Sequence, residues 1–266
     1  FIGQRFALPP VLLPFGNFHR FTGQKYNKRM QSETARKLIE LNRQFYQTFG
    51  AHFSATRQRV QPGVRRIIDA LRGDENILDL GCGNGELANV LAQNSFHGEY
   101  TGLDFSTPLM NTANRTTADF PIRFAEVDLT SDWSLEAEPF DFICAFAVLH
   151  HIPSAPIRLA MLAKTRDLLK PEGRFALSNW QFLNSERLRE RIQPWERARL
   201  SAAEVDEGDA LLDWRSGGEG LRYAHHFSEA ELAELAHQSG FRIIENFYSD
   251  GENGRLGLYQ VWQKDT

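Results

Sequence analysis

Apolar side chains recur at helical spacing between Ser32 and about Phe49, where Ala35, Leu38, Ile39, Leu41, Phe45, Tyr46 and Phe49 mark one face. A second helical pattern opens at Pro62, whose missing N–H costs nothing in a first turn, and runs through Val64, Ile67, Ile68 and Leu71. After Gly73 the pattern changes. Short apolar runs at 76–80, 99–103, 122–127, 140–146 and 173–179 read as strands, with helices between them at about 85–93, 107–118 and 156–169. This alternation predicts an α/β fold, a mostly parallel sheet with helices on both faces. Residues 1–24, interrupted by Pro9, Pro10 and Pro14, read as irregular.

The alternation breaks over 184–220. An Arg/Glu-rich stretch from Glu186 to Leu200 reads as a solvated helix with internal ion pairs; it is followed by acidic residues from Glu204 to Asp213 and by Gly217, Gly218 and Gly220. Ser228 and Glu231 then form a capping box for a helix to about Ser239, closed by Gly240. Apolar runs near 241–248 and 256–263, joined by the turn-rich Ser249–Arg255, read as a hairpin on one side of the sheet. The expected organisation is a basic extension and helical cap over 1–72, then a core over 73–266 with an insertion at 184–220 on the substrate side.

Charge adds one feature to this picture. Net charge is only −4, but residues 1–72 hold 13 Lys and Arg against 3 Asp and Glu, while the remainder carries a balance of −14. A basic arm for a polyanion has this form, and so does a basic segment that pairs with the acidic body of its own molecule. The two cysteines, Cys82 and Cys144, lie in apolar segments without paired spacing, which argues against a disulfide framework or a metal site. No apolar run approaches the ~20 residues of a membrane-spanning helix. The N-terminal prolines break up any signal-peptide helix, and a cytoplasmic setting is expected.

The chemistry concentrates at Ile77-Leu78-Asp79-Leu80-Gly81-Cys82-Gly83-Asn84-Gly85, an apolar strand running into a glycine turn and a helix. Glycines at such a turn permit positive φ and let a nucleotide approach the backbone closely. A dinucleotide fingerprint would place its third glycine at position 86, where this chain has Glu86, a carboxylate that repels pyrophosphate. S-adenosylmethionine carries an ammonium and a sulfonium instead, and an acidic strand end suits it. Asp104 ends the second strand, placed to accept from ribose hydroxyls; Asp128 and the Leu129 N–H follow the third, placed for adenine.

Leu78–Gly85, Gly102-Leu103-Asp104 and Phe140-Asp141 through His150-His151 resemble the class I methyltransferases, especially their type 11 group. That resemblance implies a seven-stranded, mostly parallel Rossmann-like sheet with an antiparallel last strand. With Asp79, Gly81, Gly83, Asp104, Asp128 and Leu129, the expected cofactor set includes Tyr46, Phe105 and Phe146. Three further segments resemble the tRNA wobble-uridine carboxymethyl-ester methyltransferases: His52-Phe53-Ser54-Ala55-Thr56-Arg57 after Tyr46, Val148-Leu149-His150-His151, and Arg222-Tyr223-Ala224-His225. The chain departs from that family at strand five, where Ser178-Asn179-Trp180-Gln181-Phe182 replaces a Trp followed by Ala-Leu-Glu-Gln.

The implied reaction is displacement at a sulfonium methyl by a carboxylate that is already ionised, so positioning matters more than a base. Arg57 or Arg222 would hold the carboxylate through a bidentate fork, helped by neutral imidazole from His150 or His151, and Trp180 would stack on a base. The resemblance also implies tRNA as partner and, for some members, a small zinc-binding activator subunit. A small-molecule acceptor enclosed by the helical cap and the insertion is the alternative, and a catalytically idle S-adenosylmethionine-binding scaffold is the third reading.

Overall fold

The computed structural model describes residues 30–55 and 59–265. The expected irregular segment 1–24 and Arg57 lie outside the described residues. Helix α1 (Ser32–Ala55) extends the expected helix by six residues, and α2 (Pro62–Ile68) starts at its proline.

The core then alternates: β1 (Asn76–Leu80), α3 (Glu86–Gln93), β2 (Glu99–Asp104), α4 (Thr107–Ala113), β3 (Ile122–Glu126), β4 (Phe140–Phe146), α5 (Ala155–Leu168) and β5 (Leu169–Trp180). Neighbouring strands among these five pair in parallel. Residues one apart on a strand face opposite sides, and the core divides accordingly. Leu78, Leu80, Ile143, Phe175 and Leu177 pack in one layer, and Ile77, Phe142, Cys144 and Ala176 in the other.

Chain order supplies the next four elements, α6 (Glu186–Arg189), β6 (Ile192–Gln193), β7 (Asp209–Trp214) and β8 (Gly220–His225). They correct the expectation of one helix from Glu186 to Leu200. The helix stops after four residues, β6 follows, and Trp195–Ala198 forms a single 3-10 turn. Pro194 has no N–H for a helix interior and its ring clashes with the preceding turn. Nor does the Arg/Glu stretch form the expected internal ion pairs among the described residues: Arg191 Nε donates instead to Asp213 on β7 at 2.8 Å. Strands β6, β7 and β8 make a separate three-stranded antiparallel sheet. The acidic 204–213 stretch thus ends inside a strand, with the Asp209 carboxylate buried.

Helix α7 (Glu229–Gln238) begins as its capping residues predict, Ser228 Oγ accepting from the Glu231 N–H at 3.1 Å. The Glu231 carboxylate is spent elsewhere, on His225. The last hairpin, β9 (Phe241–Ser249) and β10 (Gly257–Lys264), completes a seven-stranded sheet in the order β3-β2-β1-β4-β5-β10-β9. The last strand, β10, runs antiparallel to both neighbours, as expected. The strand order reverses between β1 and β4, and a crevice opens beyond the carboxyl ends of parallel strands at such a point.

Candidate active site

A cavity of about 400 Å³ occupies that crevice. Its floor is the glycine turn. Gly81, Gly83 and Gly85 have φ of +75°, +58° and +79°. A Cβ on Gly81 would lie 2.4 Å from Val148 Cγ2, whereas one on Gly83 would meet nothing within 4 Å among the described residues. The backbone is therefore bare toward open space at Gly83, the form of a cradle for a ligand.

Two acids border the turn. Asp79 is buried, accepting from the Tyr100 hydroxyl at 2.6 Å and from Cys144 Sγ at 3.4 Å. Asp104 accepts from the Gly83 N–H at 3.0 Å and the Ser106 N–H at 2.8 Å. Burial raises each carboxyl from 3.8 to about 6, against the lowering effect of these hydrogen bonds. Two consequences follow from the sign. Between about pH 4 and 6 the folded chain holds protons that the unfolded chain has released, so these groups contribute less stability as pH rises through that window. A cationic ligand prefers the ionised pair, so cofactor affinity is expected to fall as pH drops through about 6. Titrating S-adenosylmethionine by calorimetry at pH 7.5 and pH 5 measures this; equal affinities would show that the acids do not sense the cofactor charge.

Asp128, the third expected acid, accepts from Arg43 of α1 through one oxygen and from the Thr130 N–H and hydroxyl through the other. Leu129, Phe105 and Phe146 line the same cavity, and Phe105 meets the Tyr46 ring edge-on at 5.9 Å. The Asn84 amide donates to Ser54 Oγ near the end of α1 at 3.0 Å. The expected cofactor residues thus converge from four strand ends and α1.

The opposite half carries the expected acceptor residues. Arg222, buried on β8, places its guanidinium carbon 4.6 Å from the Trp180 ring centre and 5.6 Å from those of Phe45 and Trp214. A guanidinium at this range is attracted to the negative faces of the rings. His150 is buried, and its Nδ1 accepts the Trp180 N–H at 3.3 Å, which leaves the ring proton on Nε2. His151 faces the Tyr223 carbonyl through Nδ1 and the Tyr46 hydroxyl through Nε2, both at 3.0 Å. A carbonyl only accepts, so Nδ1 donates, and in the neutral ring Nε2 accepts a hydrogen bond from the Tyr46 hydroxyl. Both histidines line the cavity, and His151 also ties α1 to β8.

Asn42 was not singled out in the sequence. Its Nδ2 donates to the His151 and Tyr223 carbonyls, and its Oδ1 accepts from the Tyr223 N–H at 2.8 Å. The available signal was a polar residue four positions after Leu38 on the apolar face of α1. Arg43 was missed too, one position further along. Some of the basic excess of 1–72 is satisfied internally, through Arg43–Asp128 and Arg66–Glu245, the second at 2.6 Å.

Residues 52–246 match a family model described as a methyltransferase domain. A protein of Encephalitozoon cuniculi named only as a methyltransferase is 30% identical over 204 residues, 76% of this chain and 87% of that protein. The tRNA (carboxymethyluridine(34)-5-O)-methyltransferase ALKBH8 of Macaca fascicularis is 28% identical over 56% of this chain, which spans only 21% of that protein. Among solved structures, the methyltransferase bound to the Trm112 activator from Haloferax volcanii superposes with a TM-score of 0.60 at 15% identity, over 84% of this chain and 97% of that one. The 1,6-didemethyltoxoflavin-N1-methyltransferase of Burkholderia thailandensis, holding S-adenosylhomocysteine, superposes at 0.57 with 20% identity, over 88% and 90%. The chain belongs to the methyltransferase-domain family as an S-adenosylmethionine-dependent methyltransferase.

Proposed function

We propose that the chain methylates the carboxylate of a carboxymethylated uridine at the wobble position of tRNA. The observation that carries this reading is Arg222, a buried guanidinium framed by Phe45, Trp180 and Trp214 in the cavity that Asp79, Gly83 and Asp104 also line. An arginine in that place fits a planar anion through two parallel hydrogen bonds. The cofactor, when bound, supplies a methyl group on a positively charged sulfur. Everything else falls to the chain. Arg222 orients the ionised carboxylate, the Nε2–H of His150 offers a neutral donor that does not protonate it, and the aromatic walls exclude water. No general base is required, because the acceptor carries its charge before it binds. The name of the Macaca fascicularis relative supports the choice of acceptor. A need for a small zinc-binding activator belongs to the same proposal, supported by the Haloferax volcanii complex. Among the described residues no helix is long and apolar enough to cross a membrane, and the two cysteines are free and buried, which suits a cytoplasmic enzyme.

The test incubates the protein with labelled cofactor and bulk tRNA, with and without an activator subunit, and identifies the modified nucleoside by mass spectrometry. Label in a carboxymethyl ester of uridine is the expected result. Arg222→Met, which keeps bulk and removes charge, is expected to lower kcat/KM about 100-fold, the scale of a charge-assisted pair. Arg222→Lys should recover little, because a point charge replaces the fork. Label in no nucleoside, with the activator present and cofactor bound, would remove the tRNA reading. A small-molecule acceptor is the second reading, favoured by a cavity of about 400 Å³, within the usual size of metabolite sites.

A further inference from the structure

Asn179, next to last on β5, lines the cavity and is 1% exposed. Neither its amide nitrogen nor its amide oxygen has a hydrogen-bond partner among the described residues. A buried amide left in that state is costly, since both donor and acceptor were taken from water without replacement. A ligand that supplies both partners relieves the cost. The cofactor is poorly placed to be that ligand. Its acids lie on β1, β2 and after β3, while β5 lies two strands beyond β1 on the other side of β4, about 10 Å away at ordinary strand spacing. Asn179 therefore belongs to the acceptor half, next in sequence to Trp180, which stacks against Arg222.

The donor and acceptor requirements narrow the ligand. A carboxylate only accepts, so it would satisfy Nδ2 and leave Oδ1 facing a second acceptor. An ammonium only donates, and fails in the opposite way. A lactam edge, an N–H beside a C=O, satisfies both atoms of one amide at once, as an asparagine does with the matched edge of a base. We propose that Asn179 is a specificity-determining residue that binds the lactam edge of the methyl acceptor while Arg222 holds its carboxylate. This deepens the acceptor reading above and rests on it for the carboxylate, but not for the lactam.

Binding of uridine and of N3-methyluridine, whose lactam N–H is blocked, is measured by calorimetry on protein saturated with S-adenosylhomocysteine. Wild type is expected to bind uridine about tenfold or more tightly than its N3-methyl derivative. Asn179→Leu, and independently Asn179→Ala, should bind the two alike. Asn179→Leu should also melt about 2–4 °C higher than wild type, because an apolar side chain removes two orphaned polar atoms; a purely structural asparagine would give the opposite sign. Equal binding of both probes by wild type, binding of neither, or discrimination retained in both variants overturns the proposal. If discrimination holds while tRNA accepts no methyl group, the tRNA reading fails alone. If tRNA is methylated without discrimination, the lactam assignment fails alone.

Discussion

Gly83→Ala is expected to weaken cofactor binding about 100-fold while leaving the fold nearly as stable as before. A methyl group at a glycine of positive φ carries two costs. The first is backbone strain, roughly 1–2 kcal/mol for a non-glycine residue in the left-handed region. At 2–4 °C per kcal/mol for a chain of this size, strain alone lowers Tm by only a few degrees. The second is steric, and it differs among the glycines. At Gly83 the new Cβ meets no atom of the described residues within 4 Å, so the space it takes is expected to be the ligand's. Gly254, in the turn between β9 and β10, has φ +66° and equally open surroundings, but it does not line the cavity. Gly254→Ala thus imposes the strain without the obstruction, and its cofactor affinity should stay within twofold of wild type. Gly81→Ala adds a clash with Val148 and should lose both stability and affinity. Calorimetry with S-adenosylhomocysteine and thermal melts of the three variants separate the effects. If Gly83→Ala and Gly254→Ala bind alike, the turn is not the cradle.

The glycine turn and its acids were legible in the sequence because their chemistry is local. Positive φ at Gly81 and Gly83 is imposed by a strand meeting a helix within five residues, and Asp79 is next to last on β1 while Asp104 ends β2. The mostly parallel sheet followed for the same reason, its strands being apolar runs set among helical segments. The residues proposed to hold the acceptor were readable only by resemblance. Arg222 lies on a strand whose partners are β7 and, through side chains, α1, and nothing in Gly220–His225 by itself says that Phe45 and Trp180 converge on it. The small sheet was missed because β6 has two residues and sits in a stretch rich in good helix formers. Pro194 is the contrary signal in that stretch. His225 was noted for its motif, but its partners Asp209 and Glu231 come from a strand and a helix on either side of it in sequence.

Arg158→Met is expected to lower stability by about 3–5 kcal/mol, the cost of removing one member of a buried ionic network. Arg158 is 1% exposed, on α5. Its guanidinium donates to the Ile152 carbonyl at 2.9 Å and the Tyr223 hydroxyl at 3.0 Å, reaches Glu231 at 3.4 Å and Asp209 at 3.9 Å, and stacks 4.8 Å above Phe227. His225 lies between the same two carboxylates, at 2.6 Å from Asp209 and 2.9 Å from Glu231. Methionine fills the volume but leaves the buried Asp209 carboxylate without its guanidinium. A Tm lower by roughly 10–15 °C is the corresponding readout. Lys37→Ala is the control, since its pair with Glu33 is exposed on both sides and such bridges carry little, so Tm should barely move. The effect should reach the active site as well. Tyr223 links the network to the Asn42 clamp and to His151, and its chain neighbour is Arg222. Loosening β8 is therefore expected to cost turnover at temperatures where the variant is still folded. Adding Asp209→Asn and Glu231→Gln to Arg158→Met should restore part of the lost Tm, because the uncompensated charges go with the arginine. A single Arg158→Met variant that melts with wild type would show that water or neighbouring groups already neutralise Asp209, and that β8 is held by its apolar contacts alone.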